Sequence, residues 1–144
     1  MWEEINENLY ASFGTDSSSH AYVLVGKTVA LIDTGMGGSA RQLKEGLASI
    51  GVTPKDVGYI FHTHGHADNF ALDYLFPKAQ IWMHPADALY VNAKDATFTT
   101  KPTLPLPANK RPSLPHTITD KQVFDLGKFS FKYVVLPVFL APHK

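Results

Sequence analysis

The chain has 144 residues, 44% of them apolar and 18% charged, with 13 basic residues balancing 13 acidic ones and no cysteine. That length suits one domain, residues 1–144, able to bury roughly two thirds of its unfolded surface, and the composition excludes a disordered tail. Zero net charge leaves no basic excess for phosphates, so nucleic acid is not an expected partner, and without thiols a metal would need His and carboxylate ligands.

The acidic opening, Met1-Trp2-Glu3-Glu4-Ile5-Asn6, lacks the basic flank and apolar run of a signal peptide. No apolar stretch is long enough to span a bilayer. The default expectation is a soluble cytoplasmic protein. Residues 4–13 read as a first strand, with Ile5, Leu9, Tyr10 and Phe13 among polar neighbours. Thr15-Asp16-Ser17-Ser18-Ser19 then breaks the chain. The runs 21–25 and 28–32 flank Gly26-Lys27 as a tight hairpin, and Asp33-Thr34-Gly35 ends its second strand.

A helix follows, with Ser39 as N-cap and Gln42 three residues on, as in a capping box. Ala40, Leu43, Leu47 and Ile50 recur at helical spacing, and Gly51 supplies the stop. The short apolar strand 57–61 leads into a histidine-rich loop. A helix is expected from Ala67 to Phe76, ended by Pro77, then a strand over 79–83 and a short helix over 85–91. Five prolines between 92 and 116 make a regular element there improbable and point to a long loop or lid. Beyond it, 122–126 and 129–136 flank Gly127-Lys128 as a second hairpin. Alternating strands and helices with hairpins at both ends suggest an α/β sandwich.

His64 and His66 are two apart, so in an extended segment both imidazoles point to one side and can converge on one ion. Asp68 continues the period, and its carboxylate could bind a second metal or take a proton from a metal-bound water. The bland alternative is a polar turn whose histidines face solvent. Two histidines and an Asp in phase at the exit of an apolar strand argue against it. His62 shares the period and is either a spare ligand or a partly buried strand histidine. His20, His84 and His116 read as surface or satisfied core residues.

Thr63-His64-Gly65-His66-Ala67-Asp68 resembles the metal loop of the metallo-β-lactamase superfamily, which includes glyoxalase II-like thioesterases, lactonases and β-lactamases. Leu31-Ile32-Asp33-Thr34-Gly35 resembles the strand-end motif that precedes this loop in the same family, and the order, separation and intervening helix also match. The resemblance covers nearly the whole chain and implies an αββα sandwich whose members use a metal-bound hydroxide to attack a carbonyl or related centre. It makes His64 and His66 ligands of the first metal, and Asp68 a ligand of the second and the candidate general base. Asp33 becomes a residue supporting the loop or, equally on the sequence, a turn-forming Asp at a strand end.

Three positions depart from the family pattern. The family has a further His directly after the Asp, where this chain has Asn69. An amide oxygen is a much weaker zinc ligand than imidazole, and Asn69 also suits a helix N-cap. The family's third first-site His follows a Pro-Gly pair, whereas this chain has only Pro142-His143. The bridging carboxylate and last His of the family belong to the second half of the fold, which this chain lacks. The expected sandwich is therefore incomplete at its C-terminus, with an apolar sheet face that a second copy in a homo-oligomer could cover.

The resulting expectation is a metal-dependent hydrolase of small-molecule esters, thioesters, lactones or lactams. It would hold one zinc ion, or one strongly and one weakly, with iron or manganese accepting the same ligands. The alternative is a degenerate or truncated, non-catalytic member of the fold that binds metal weakly or acts through protein contacts.

Overall fold

The computed structural model of the protein describes residues 2–12, 20–35, 40–63, 72–86, 116–128 and 130–134. Among them, seven strands form one sheet in chain order: β1 (Glu3–Asn6), β2 (Leu9–Ser12), β3 (Ala21–Val25), β4 (Val29–Ile32), β5 (Val57–Phe61), β6 (Gln80–Met83) and β7 (His116–Thr117). Successive strands from β1 to β4 pair antiparallel, while β4 to β7 are mutually parallel.

The expected single strand over 4–13 is instead a hairpin, because Glu7 and Asn8 turn the chain and Glu3 pairs with Ala11. Asn8 sits at φ 62, a left-handed conformation that Asn tolerates better than most residues. The Gly26-Lys27 hairpin forms as expected, with Tyr22 opposite Ile32 and Val25 opposite Val29. β7 was not anticipated. It adds only two residues beside Trp82 and Met83, too few to leave a periodic signal.

The helix α1 (Ala40–Ser49) connects β4 to β5. Ser39, its expected N-cap, lies outside the described residues. Its C-terminus is explicit: Gly51 takes φ 79, its N–H donates to the Ala48 carbonyl at 3.0 Å, and Val52 N–H donates to the Leu47 carbonyl at 2.9 Å. This is the paired closure that a left-handed residue after the last turn makes possible, and glycine meets it without a Cβ clash. Leu43 and Leu47 bury the apolar face of α1 against Val23, Leu31, Ile60 and Ile81 of the sheet.

The opposite sheet face is also covered. β8 (Val123–Asp125) and β9 (Ser130–Lys132) pair antiparallel around Gly127-Lys128, as the sequence suggested. Phe61 of β5 stacks on Phe131 with centroids 4.5 Å apart and meets Phe124 edge-on at 4.6 Å. Ala30, Ile118 and Leu126 complete this second cluster. Alternate residues of β4 and β5 therefore enter different cores: Leu31 and Ile60 face the helix, Ala30 and Phe61 the second sheet. A helix layer, a mixed sheet and the start of a second sheet make up part of the expected αββα sandwich. The continuation of the chain past β9, from 135 on, lies outside the described residues. Among the described residues no helix is long and apolar enough to cross a membrane.

Of the helix expected over 67–76, the described part is a single 3₁₀ turn, Asp73–Leu75, ending before Pro77. Pro85 and Ala86 are helical, and the other residues of the helix expected over 85–91 lie outside the described residues.

Candidate metal centre

The parallel strands β4 and β5 end side by side, and the residues just past them stay in register: Asp33 N–H donates to the Phe61 carbonyl at 2.9 Å, and His62 N–H to the Trp82 carbonyl at 3.0 Å. The carboxyl ends of parallel strands are where open α/β sheets build their sites, because loops diverge there and leave a crevice. At this edge Asp33 adopts φ 59, which turns the chain sharply out of β4. Its carboxylate reaches across to β5. Oδ1 accepts the Thr63 backbone N–H at 3.1 Å, and Oδ2 accepts the Thr63 hydroxyl at 2.7 Å. Both readings of Asp33 thus hold at once: it bends a strand end and braces the residue before the histidine loop.

His62 is completely buried, deeper than the partial burial expected of it. Its Nδ1 lies 3.1 Å from Asp33 Oδ1 and its Nε2 lies 2.7 Å from Asp73 Oδ2. A carboxylate can only accept, so a ring that serves carboxylates at both nitrogens donates from both and is an imidazolium. Burial by itself would push the His62 pKa down. The charge of Asp73, together with hydrogen bonds donated to Asp33 and Asp73, overrides this and raises it to about 10. Burial pushes the Asp73 carboxyl upward, against the lowering effect of His62 and of Thr34, whose hydroxyl donates to Asp73 Oδ1 at 2.8 Å. With both ring nitrogens engaged, His62 is not a spare ligand. It is a buried side chain that ties Asp33 to Asp73.

Asp73 and Thr34 escaped the sequence reading. A signal existed: Asp73 stands alone among Leu72, Tyr74, Leu75 and Phe76, and a charge inside an apolar run has to find a partner when buried. Of the other histidines, His20 and His116 are exposed and His84 is half-buried. His116 stacks on Trp82, and the His84 Nδ1 accepts the Ala86 N–H.

His64, His66, Asp68, Asn69 and His143 lie outside the described residues, and among the described residues no group of three His, Cys, Asp or Glu could hold a metal. The fit to a metal therefore rests on the chemistry of the donor set. Two imidazoles and one carboxylate at 64, 66 and 68 match the ligands zinc takes in catalytic sites. The brace holds Thr63, the residue before that set in the sequence, at the carboxyl edge of the parallel strands.

Residues 14–138 match the family model of the metallo-beta-lactamase superfamily. A probable metallo-hydrolase of Methanocaldococcus jannaschii is 40% identical over 65 residues, which cover 45% of this chain and 31% of that protein. Among solved structures, a Cronobacter sakazakii metallo-β-lactamase with a HARLDQ motif superposes with a TM-score of 0.72 at 21% identity, covering 92% of this chain and 51% of that one. BJP-1, a subclass B3 metallo-β-lactamase of Bradyrhizobium japonicum, gives 0.67 at 21% identity over 90% of this chain and 49% of that one. The chain thus spans about half the length of these structures and less of the curated relative.

Proposed function

Because the chain belongs to the metallo-β-lactamase superfamily, we propose that it carries the metal-binding part of a metal-dependent hydrolase acting on an ester, thioester, lactone or lactam. The observation that carries the proposal is the double hydrogen bond from Thr63 to Asp33, which anchors the residue directly before His64 at the carboxyl edge of β5. A donor set that begins on an anchored residue loses less freedom when it closes on an ion.

His64 and His66 would hold the ion through ring nitrogens, and Asp68 would be a further ligand or take up a proton. A divalent ion bound there supplies activation of water near neutral pH and polarisation of a substrate carbonyl. Zinc suits these donors, and iron or manganese accepts them too. The chain's own contribution is placement, through Asp33 on Thr63 and the sealed His62 beneath it.

Asn69 favours one ion, or one tight and one weak. The motif of the Cronobacter sakazakii enzyme, HARLDQ, also ends in a carboxamide residue one place after its Asp, as His64-Gly65-His66-Ala67-Asp68-Asn69 does here. An amide at this place therefore occurs in a protein called a metallo-β-lactamase.

Metal analysis of the purified protein, with His64→Ala and His66→Ala alongside, tests the proposal. Bound zinc, iron or manganese in the unaltered chain and its loss in both variants is the expected result. Metal content no higher than in the variants rejects it. A second reading, a non-catalytic member of the same fold, draws on Asn69. A panel of thioester, lactone and lactam substrates separates the two, since a catalytic protein should hydrolyse at least one class and lose that activity in His66→Ala.

A further inference from the structure

Every polar atom of His62 is engaged, and each by a different part of the chain. Its N–H donates to the Trp82 carbonyl of β6 at 3.0 Å, and its carbonyl accepts the hydroxyl of Tyr133, just past β9, at 3.2 Å. Its ring joins Asp33, at the exit of β4, to Asp73, eleven residues further along the chain. Asp73 in turn accepts from Thr34, the second residue past β4. The segment 64–71 is consequently bounded by two fixed points. Thr63 is held by Asp33, Asp73 is held by His62 and Thr34, and Asp33 and Asp73 grip the same imidazole. A loop whose two ends are tied to one buried group has far fewer conformations than a free one.

We propose that His62 and Asp73 are positioning residues, a staple that closes the two ends of the 64–71 segment on one buried side chain and so aligns the donors within it. The staple itself stands on the hydrogen bonds above. Its consequence for metal binding rests on the metal-dependent reading of the chain. The effect passes through the backbone at Thr63 and Leu72, as the groups behind metal ligands commonly act.

The test compares the unaltered chain with Asp73→Leu, which removes the grip on both His62 and Thr34, and with Asp73→Asn, whose amide can still accept from the His62 ring and donate to the Thr34 hydroxyl. Two readouts are taken at a temperature where all three proteins are folded: amide hydrogen exchange of the metal-free protein, and zinc affinity by competition with a chromophoric chelator. In Asp73→Leu, exchange should quicken at residues 63–72 and not in β3 or α1, and zinc affinity should fall by about 10-fold to 100-fold. Asp73→Asn should recover most of both. A folded Asp73→Leu with unchanged exchange at 63–72 overturns the staple, as does exchange that rises evenly through the whole chain. Faster local exchange with unchanged zinc affinity overturns its role in aligning the donors. If Asp73→Leu does not fold, Thr34→Val decides by the same readouts: faster exchange at 63–72 supports the staple, and no change overturns it. Failure of the unaltered chain to bind zinc would reject the metal-dependent reading, while the exchange readout would still decide the staple.

Discussion

The Nε2 of His62 lies 2.7 Å from Oδ2 of Asp73, and neither side chain is exposed to solvent. A buried ion pair is weak evidence for stability, because desolvation offsets most of its attraction, but removing one partner leaves an uncompensated charge inside the protein. Here one ring serves two carboxylates, so the loss of His62 would leave Asp33 with Thr63 alone and Asp73 with Thr34 alone as the hydrogen-bond partners named above.

His62→Leu is therefore expected to destabilise the chain by about 3–5 kcal/mol, measured by urea denaturation. His62→Leu combined with Asp73→Leu should cost less than the sum of the two single changes, since the second removes a charge that the first orphans. Strict additivity would mean that the pair contributes no coupling.

The same group sets a pH dependence. His62 is raised in the folded chain from 6.5 to about 10, so between those values the folded state keeps a proton that the unfolded state has released. Stability from this group is fully present below pH 6.5 and is lost as pH rises through about 10. Denaturation midpoints should fall across that window, and the fall should be absent in His62→Leu. Equal slopes in the two proteins would contradict the assignment of an imidazolium between Asp33 and Asp73.

Asn69→His restores the residue type that the family motif carries after its Asp. If an amide at this place weakens a second metal position, the variant should bind more zinc per chain than the unaltered protein at the same free zinc concentration. Equilibrium dialysis with metal analysis reads this directly, and identical stoichiometry and affinity would remove Asn69 from the account of the site.

Gly46 lies inside α1, where alanine would ordinarily add about 1 kcal/mol through helix propensity. A Cβ at this position would instead run into the buried indole of Trp2, and overpacking of this kind costs about 1–3 kcal/mol. Gly46→Ala should therefore lower stability, with a change in Trp2 fluorescence. A more stable variant would show that the indole moves aside freely and that propensity wins.

Much of the architecture was legible because it is written in short-range pattern. The hairpin at Gly26-Lys27, the stop at Gly51, the strand over 57–61 and the hairpin around Gly127-Lys128 all depend on residues a few places apart. The misreading of 4–13 has the same origin: Ile5, Leu9, Tyr10 and Phe13 do not alternate strictly, and the Asn8 turn interrupts them. Of the centre itself, Asp33 and the histidine loop stood out as motifs, whereas Asp73 was read as one residue of a helix expected over 67–76.

The amino-acid sequence alone thus determined the hairpins at Gly26-Lys27 and Gly127-Lys128, the helix that Gly51 stops, the two motif positions and the donor types available for a metal, because periodicity, turn residues and ligand chemistry are local properties. Only the tertiary structure decided what His62 does. Its two carboxylate partners lie 29 residues before it and 11 residues after it. No periodicity links those positions; they meet because parallel pairing brings the ends of β4 and β5 together and burial then requires every charge brought there to find an opposite one.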